Sequence, residues 1–116
     1  MGRRPPDAAA TDRLFHALAD PTRRDIVERS MRGGLSVSGL AQKYAMSFAA
    51  VQKHVAVLER AGLVTKERRG REQVVRTNVQ GIRQAQRLLD RWEAVWRDRI
   101  DRFGEVLVDQ SGGTTT

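Results

Sequence analysis

The spacing of apolar residues predicts a mainly α fold carrying one small β-hairpin. Three observations lead there. Apolar side chains recur three or four positions apart in successive segments, which is the period of a helix. Cap and stop residues (Asp20-Pro21, Ser47, Gly62, Asn78) fall where those segments begin or end. Two short extended runs flank Arg69-Gly70-Arg71, the pattern of a hairpin with a basic tip.

Residues 1–10, MGRRPPDAAA, hold a Pro pair and no apolar period, and are expected to be a disordered arm. From Thr11, TDRLFHALAD puts Leu14, Phe15 and Leu18 on one face of a short helix. Asp20-Pro21 starts the next helix. The carboxylate can accept from free amides, and Pro at the first helical position forfeits no hydrogen bond. That helix runs through Ile26 and Val27 and stops before Gly33-Gly34. LSV (35–37) has room for a single ladder rung. Ser38 is the expected cap of SGLAQKYA, a helix burying Leu40, Ala41 and Tyr44, with a tight break at Ala45-Met46. Ser47 then caps FAAVQKHVAVLERA, where Val51, Val55 and Leu58 keep the helical period and Gly62 supplies a left-handed stop. The runs 63–69 and 72–77 form the hairpin. Asn78 caps a last helix from Gln80 to about Leu107, roughly 40 Å long. Residues 11–108 are therefore read as one domain, and 109–116 as a flexible tail.

Composition narrows the function. The 116 residues carry a net charge of +7, and all of that excess lies between residues 21 and 78, both ends being neutral. A polyanionic partner that meets the middle of the chain accounts for this better than a uniformly solvated surface. There is no cysteine and there are two histidines. Thiolate metal sites, disulfides and cysteine nucleophiles are thereby excluded, and no residues pair a nucleophile with a base, so no enzyme is expected. No apolar run approaches the roughly 18 residues of a membrane span, and nothing at the N-terminus resembles a signal peptide. A cytoplasmic, nucleoid-associated location follows as the expectation.

Two helices joined by a short break, the second followed by a basic hairpin, make a winged helix-turn-helix, and that arrangement suits double-stranded DNA. A helix fits the major groove and reads base edges with side chains near its N-terminus. With Val51, Val55 and Leu58 turned inward, Phe48, Ala49, Gln52, Lys53 and Ala56 of recognition helix 47–61 are left outward. Gln52 can pair with adenine, Lys53 with guanine or phosphate, and Phe48 and Ala49 with thymine methyls. In the basic wing 65–77, the arginines suit the adjacent backbone or a narrow minor groove. Thr22 and Arg23, opening the second helix, are further candidates for the DNA backbone. His54 has two readings, a phosphate donor or a packing and capping residue.

The segments LADPTRRDIVERS, MSFAAVQKHVAVLERAGLV and KERRGREQVVRTN resemble the ArsR/SmtB-type bacterial transcriptional repressors over about residues 11–108. The family motif V-x-x-H-L-x-x-L-x-x-A-G-L-V is met by Val51, His54, Leu58, Ala61, Gly62, Leu63 and Val64, with Val55 in place of Leu. The resemblance implies a homodimeric winged-helix repressor reading an inverted repeat. Ser47, Gln52, Lys53 and His54 occupy its DNA-facing positions, and Lys66, Arg68, Arg69 and Arg71 its wing. Metal-sensing members carry L-C-V-C-D-L at the third helix. Here the residues are Leu35, Ser36, Val37, Ser38, Gly39 and Leu40, and neutral hydroxyls are poor ligands for soft metals. The last helix has carboxylates but no histidine, so neither metal nor cofactor is expected. An unidentified small-molecule effector, or control by expression level alone, fits better.

The stripe Leu89, Trp92, Trp96, Ile100 and Phe103 needs a partner, because a helix so long overhangs a small winged-helix body. A second copy of the chain is the expected occupant, with Leu14, Phe15 and Leu18 of the first helix contributing. Two other functions remain open at this point. One is a non-specific architectural DNA-binding protein. The other is a protein-interaction module built on the long helix.

Overall fold

In the computed structural model, residues 8–110 are described. Five helices and three strands follow one another: α1 (Ala8–Leu18), α2 (Pro21–Met31), β1 (Leu35–Ser36), α3 (Val37–Ala41), α4 (Phe48–Arg60), β2 (Val64–Arg69), β3 (Glu72–Thr77) and α5 (Val79–Gln110). The described residues form two compact units, one running to Ala85 and the other starting at Gln86. The expected arm lies outside the described residues as far as residue 7, and the expected tail from residue 111 onward.

In the first unit, Leu14 and Ala17 of α1, Ile26 and Val27 of α2, Val37 and Leu40 of α3, and Val51, Val55 and Leu58 of α4 meet Leu63, just ahead of β2, and Val64 and Val75 of the sheet in one buried core. The sheet has the order β1-β3-β2 and is antiparallel throughout. Leu35 pairs with Val75 and Ser36 with Val74, while the hairpin pairs Val64 with Thr77 through to Arg69 with Glu72. Two residues close that hairpin, and Gly70 takes φ +62° at the first of them, a sign that tight hairpin turns need and that glycine supplies without strain. The end of α4 is a Schellman motif. The Gly62 amide donates to Glu59 O at 3.0 Å and the Leu63 amide to Leu58 O at 3.0 Å, with Gly62 at φ +77°.

Several local expectations hold. Asp20 caps α2 by accepting from the Arg23 amide at 3.0 Å, with Pro21 in the first turn. Ser47 caps α4, its Oγ accepting from the Ala50 amide at 3.1 Å. Asn78 Oδ1 accepts from the Gln80 amide at 3.2 Å where α5 begins.

Others are corrected. α1 begins at Ala8, so the alanine run belongs to the helix and not to an arm. Ser36, not Ser38, caps α3, accepting from the Gly39 amide at 2.9 Å. The helix is accordingly displaced two residues toward the N-terminus and ends at Ala41, which leaves Tyr44 in the following turn. Leu14 is 1 % exposed in its own chain's core, so it is not available to a second copy, whereas Phe15 and Leu18 are only partly buried.

Candidate nucleic-acid interface

α4 is amphipathic for a simple reason. Val51, Val55 and Leu58 are buried at helical spacing, which turns Phe48, Ala49, Gln52 and Lys53 outward at the capped end. Phe48 is 46 % exposed at the first helical position, an unusual place to leave a large apolar ring in water. Ser47 is exposed too, though its Oγ is engaged by the cap.

Phe48 and Gln52, one turn apart, line a cleft of about 230 Å³ together with Val37 and Ser38 of α3 and Arg68, Arg71, Glu72 and Gln73 of the hairpin. Three elements distant in sequence are thus brought to one concave surface, with a cation pair on one wall and an amide and an aromatic ring on the other. Ser38 and Gln73 were not anticipated as part of it. Ser38 is freed by the capping role of Ser36. Gln73 faces the cleft through the hairpin register, in which it pairs with Arg68.

The basic wing residues differ in how far they are engaged within the chain. Lys66 Nζ lies 3.5 Å from Glu59 Oε1, tying the base of the wing to α4. Arg69 Nε lies 3.8 Å from Glu67 Oε1, and Arg76 shares the same carboxylate at 3.7 Å. Arg68 Nε donates to Gly70 O at 3.3 Å, which shapes the tip. These are exposed pairs of small energetic weight, readily exchanged for a phosphate.

Arg23, a candidate for the DNA backbone, is engaged within the chain. Its Nε donates to Ala17 O at 2.8 Å and its Nη2 to His16 O at 2.9 Å, while Arg24 Nη1 donates to Leu18 O at 2.8 Å. The three carbonyls belong to the last turn of α1, where His16 O also accepts from the Ala19 amide at 3.2 Å, and they carry the negative end of the helix dipole. The Arg23-Arg24 pair is therefore a cap supplied by the next helix. The remaining Arg23 nitrogen, Nη1, lies 3.3 Å from His54 Nδ1, and Asp20 Oδ2 lies 4.0 Å from the same atom. Amide donation from Arg23 is the main reason the Asp20 carboxyl is held below its ordinary value, with the nearby Arg23 charge adding to it. Thr22 is half-buried beside this group.

A second polar cluster braces the turn ahead of α4. The Tyr44 hydroxyl and the Arg29 guanidinium both donate to Asp25 Oδ2, and the Arg29 charge lies 5.7 Å from the Tyr44 ring centre. Neither the phenol nor the carboxylate was anticipated, since nothing local in the sequence links positions 25 and 44.

In the second unit, Leu89, Trp92, Val95, Trp96, Ile100 and Phe103 are all exposed, both tryptophans by about three-fifths. Among the described residues, no group of three His, Asp or Glu side chains is placed to hold a metal ion, and no helix is long and apolar enough to cross a membrane.

The fold and surface agree with what the chain resembles. The helix-turn-helix domain model matches residues 18–67. The HTH-type transcriptional regulator Rv2034 of Mycobacterium tuberculosis is 36 % identical over 104 residues, covering 90 % of this chain and 94 % of that one. The structure of an ArsR-like transcriptional regulator from Rhodococcus sp. RHA1 superposes with a TM-score of 0.78 at 31 % identity, over 87 % of this chain and 93 % of its own. At 23 % identity, the homodimeric winged helix-turn-helix DNA-binding domain Mb0332 of Mycobacterium bovis shares the fold, with a TM-score of 0.62 over 81 % of this chain and 90 % of that one. The chain belongs to the ArsR family of winged helix-turn-helix, DNA-binding transcriptional regulators.

Proposed function

We propose that the chain is a homodimeric repressor that binds an inverted-repeat operator, with α4 in the major groove and the β2–β3 wing on the flanking backbone. The observation that carries this reading is the shared cleft of Phe48, Gln52, Arg68 and Arg71. Direct readout needs an amide or apolar group at base edges, and affinity needs cations on the phosphates. One concave surface supplies both. Gln52 and Lys53 read bases, Phe48 and Ala49 meet thymine methyls, and Ser38, Arg68, Arg69 and Arg71 hold phosphates. Lys66 and Thr22 are secondary contacts.

Dimerisation is supported by the spacing on α5. Apolar residues stand four and seven positions to either side of Trp96: Trp92 and Ile100, then Leu89 and Phe103. The pattern reads alike in both directions. Two copies paired antiparallel about Trp96 then set Trp92 beside the partner's Ile100 and Leu89 beside the partner's Phe103. Partly exposed Phe15 and Leu18 of α1 offer a second apolar patch to the partner copy. A dimer supplies two recognition helices for two half-sites, and occupancy of the operator excludes the polymerase.

The deciding experiment is fluorescence anisotropy with the chain's own upstream DNA and a shuffled duplex, across a salt series. Binding to its own DNA at least about a thousandfold tighter is expected. Equal, steeply salt-dependent binding to both would replace this reading with an architectural one.

A further inference from the structure

We propose that Arg23 is a positioning residue for the recognition helix: it fixes His54 as the tautomer protonated on Nε2, so that this N–H is offered outward to a phosphate oxygen. The donor role rests on the reading that α4 faces DNA; the tautomer does not.

A guanidinium carries five N–H donors and no acceptor. With Arg23 Nη1 at 3.3 Å, Nδ1 of His54 has to be the acceptor, and the ring proton then resides on Nε2. Among the described residues, the carboxylate near Nδ1 is that of Asp20. Its Oδ2 is 4.0 Å away, beyond hydrogen-bonding distance, and it already accepts from the Arg23 amide at 3.0 Å. Arg23 cannot turn aside either, because Nε and Nη2 are held by Ala17 O and His16 O at 2.8 and 2.9 Å. All three guanidinium nitrogens are engaged, and their planar fork sets the direction of the third bond once the first two are made.

Among the described residues the other ring nitrogen has no hydrogen-bond partner. Among the described residues the one buried side-chain polar atom without a hydrogen bond is Ser30 Oγ. Nε2 of His54 is therefore in reach of solvent, on a side chain that is 22 % exposed. A neutral imidazole with a defined outward N–H and a braced ring loses little freedom on meeting a phosphate, which a free histidine would not match. The same guanidinium also makes the end of α1 and the recognition helix one connected unit.

The test begins with the free chain labelled with ¹⁵N-histidine, in mildly alkaline buffer, read by long-range ¹H–¹⁵N correlation. His54 is expected to show an unprotonated Nδ1 and a protonated Nε2. Arg23→Met is expected to give a mixture of tautomers and about tenfold weaker binding to the chain's own operator. Because that variant also uncaps α1, two substitutions at His54 are measured beside it. His54→Gln places an amide N–H near the position of Nε2 and is expected to hold affinity within about threefold, whereas His54→Asn, which keeps an acceptor for Arg23 and loses the outer donor, falls about tenfold or more. A proton on Nδ1 in the wild-type chain, or a folded Arg23→Met whose tautomer is unchanged, would overturn the role of Arg23. Equal operator binding by the Gln and Asn variants would overturn the donor role. A wild-type chain with the expected tautomer and no affinity for any duplex would overturn the DNA reading and the donor with it, while the spectrum upheld the positioning.

Discussion

The hydroxyl of Tyr44 donates to Oδ2 of Asp25 at 2.5 Å, joining the turn ahead of the recognition helix to the middle of α2. Donation from Tyr44, then from Arg29, holds the Asp25 carboxyl below its ordinary 3.8. The phenol is pushed up to about 12, first by burial and then by its bond to Asp25. The signs give two limbs. A carboxylate with a lowered value contributes stability that is complete above 3.8 and is lost as the pH falls through the lowered value. A phenol with a raised value contributes stability that is complete below 10 and is lost as the pH rises toward 12. Tyr44→Phe should cost about 1 kcal/mol at neutral pH, make the acid limb shallower and remove the alkaline loss due to this phenol. Melting temperature against pH checks it, and an unchanged acid limb would show that the phenol does not hold the carboxylate.

The corner between α4 and α5 is closed on backbone. The Asn78 side-chain amide donates to Gly62 O at 2.9 Å, and a Cβ at Gly81 would run into that same carbonyl. Because the obstacle is main chain, it cannot swing aside like a flexible side chain. Gly81→Ala should therefore destabilise the protein by about 1–3 kcal/mol despite the better helix propensity of alanine. Chemical denaturation measures it. A stabilised variant would mean that the corner opens freely.

How much of this could be read from the sequence depends on the range of the determining contact. The starts of α2 and α4, the hairpin tip and the cap at Asn78 follow from chemistry within four residues, and they fall where the sequence puts them. The start of α3 does not, because Ser36 and Ser38 are equally good caps. The choice is made by β1 pairing with β3, nearly forty residues on. Leu14 has the spacing of an interface residue and of a core residue alike, and only the packing of α2 and α4 over it decides for the core. Arg23 shows a related limit: an arginine at the start of a helix suits a phosphate, and here the preceding helix also ends close enough for its carbonyls to hold the guanidinium. Gln73 entered the cleft through strand register and Ser38 through the capping role of Ser36, neither of which a local pattern reports.

Gln52 is exposed on the first turns of α4, beside Phe48 and facing the wing. A side-chain amide can make paired bonds to adenine and gains little from a uniform backbone. Gln52→Ala should cost about 1–3 kcal/mol on the operator and almost nothing on a shuffled duplex. Equal losses on both would remove it from base readout.

Arg71 and Lys66 separate wing contacts by how far each is engaged within the chain. Lys66 lies 3.5 Å from Glu59, whereas among the described residues no carboxylate pairs with Arg71 at the tip. Arg71→Ala should weaken specific and shuffled DNA alike and lower the salt slope by about one. Lys66→Ala should do less, since a phosphate there would have to compete with Glu59. Titration across a salt series tests both, and a loss at one base position only would assign Arg71 to readout.

Trp96 stands 59 % exposed at the centre of an apolar stripe whose spacing is symmetric about it. In an antiparallel pair this residue meets its own copy on the two-fold axis, so a single substitution removes both sides of the central contact. Trp96→Ala should weaken the dimer by at least about 2 kcal/mol, or some thirtyfold, since large central aromatics dominate such interfaces. Leu89→Ala and Phe103→Ala, which oppose each other in that register, should cost less singly and be non-additive together. Sedimentation at micromolar concentration resolves monomer from dimer directly. Operator affinity should fall with it, because two half-sites are held tightly only by linked recognition helices. A dimer that survives Trp96→Ala unchanged would place the two-fold axis elsewhere, and α1, with Phe15 and Leu18, would become the first surface to test.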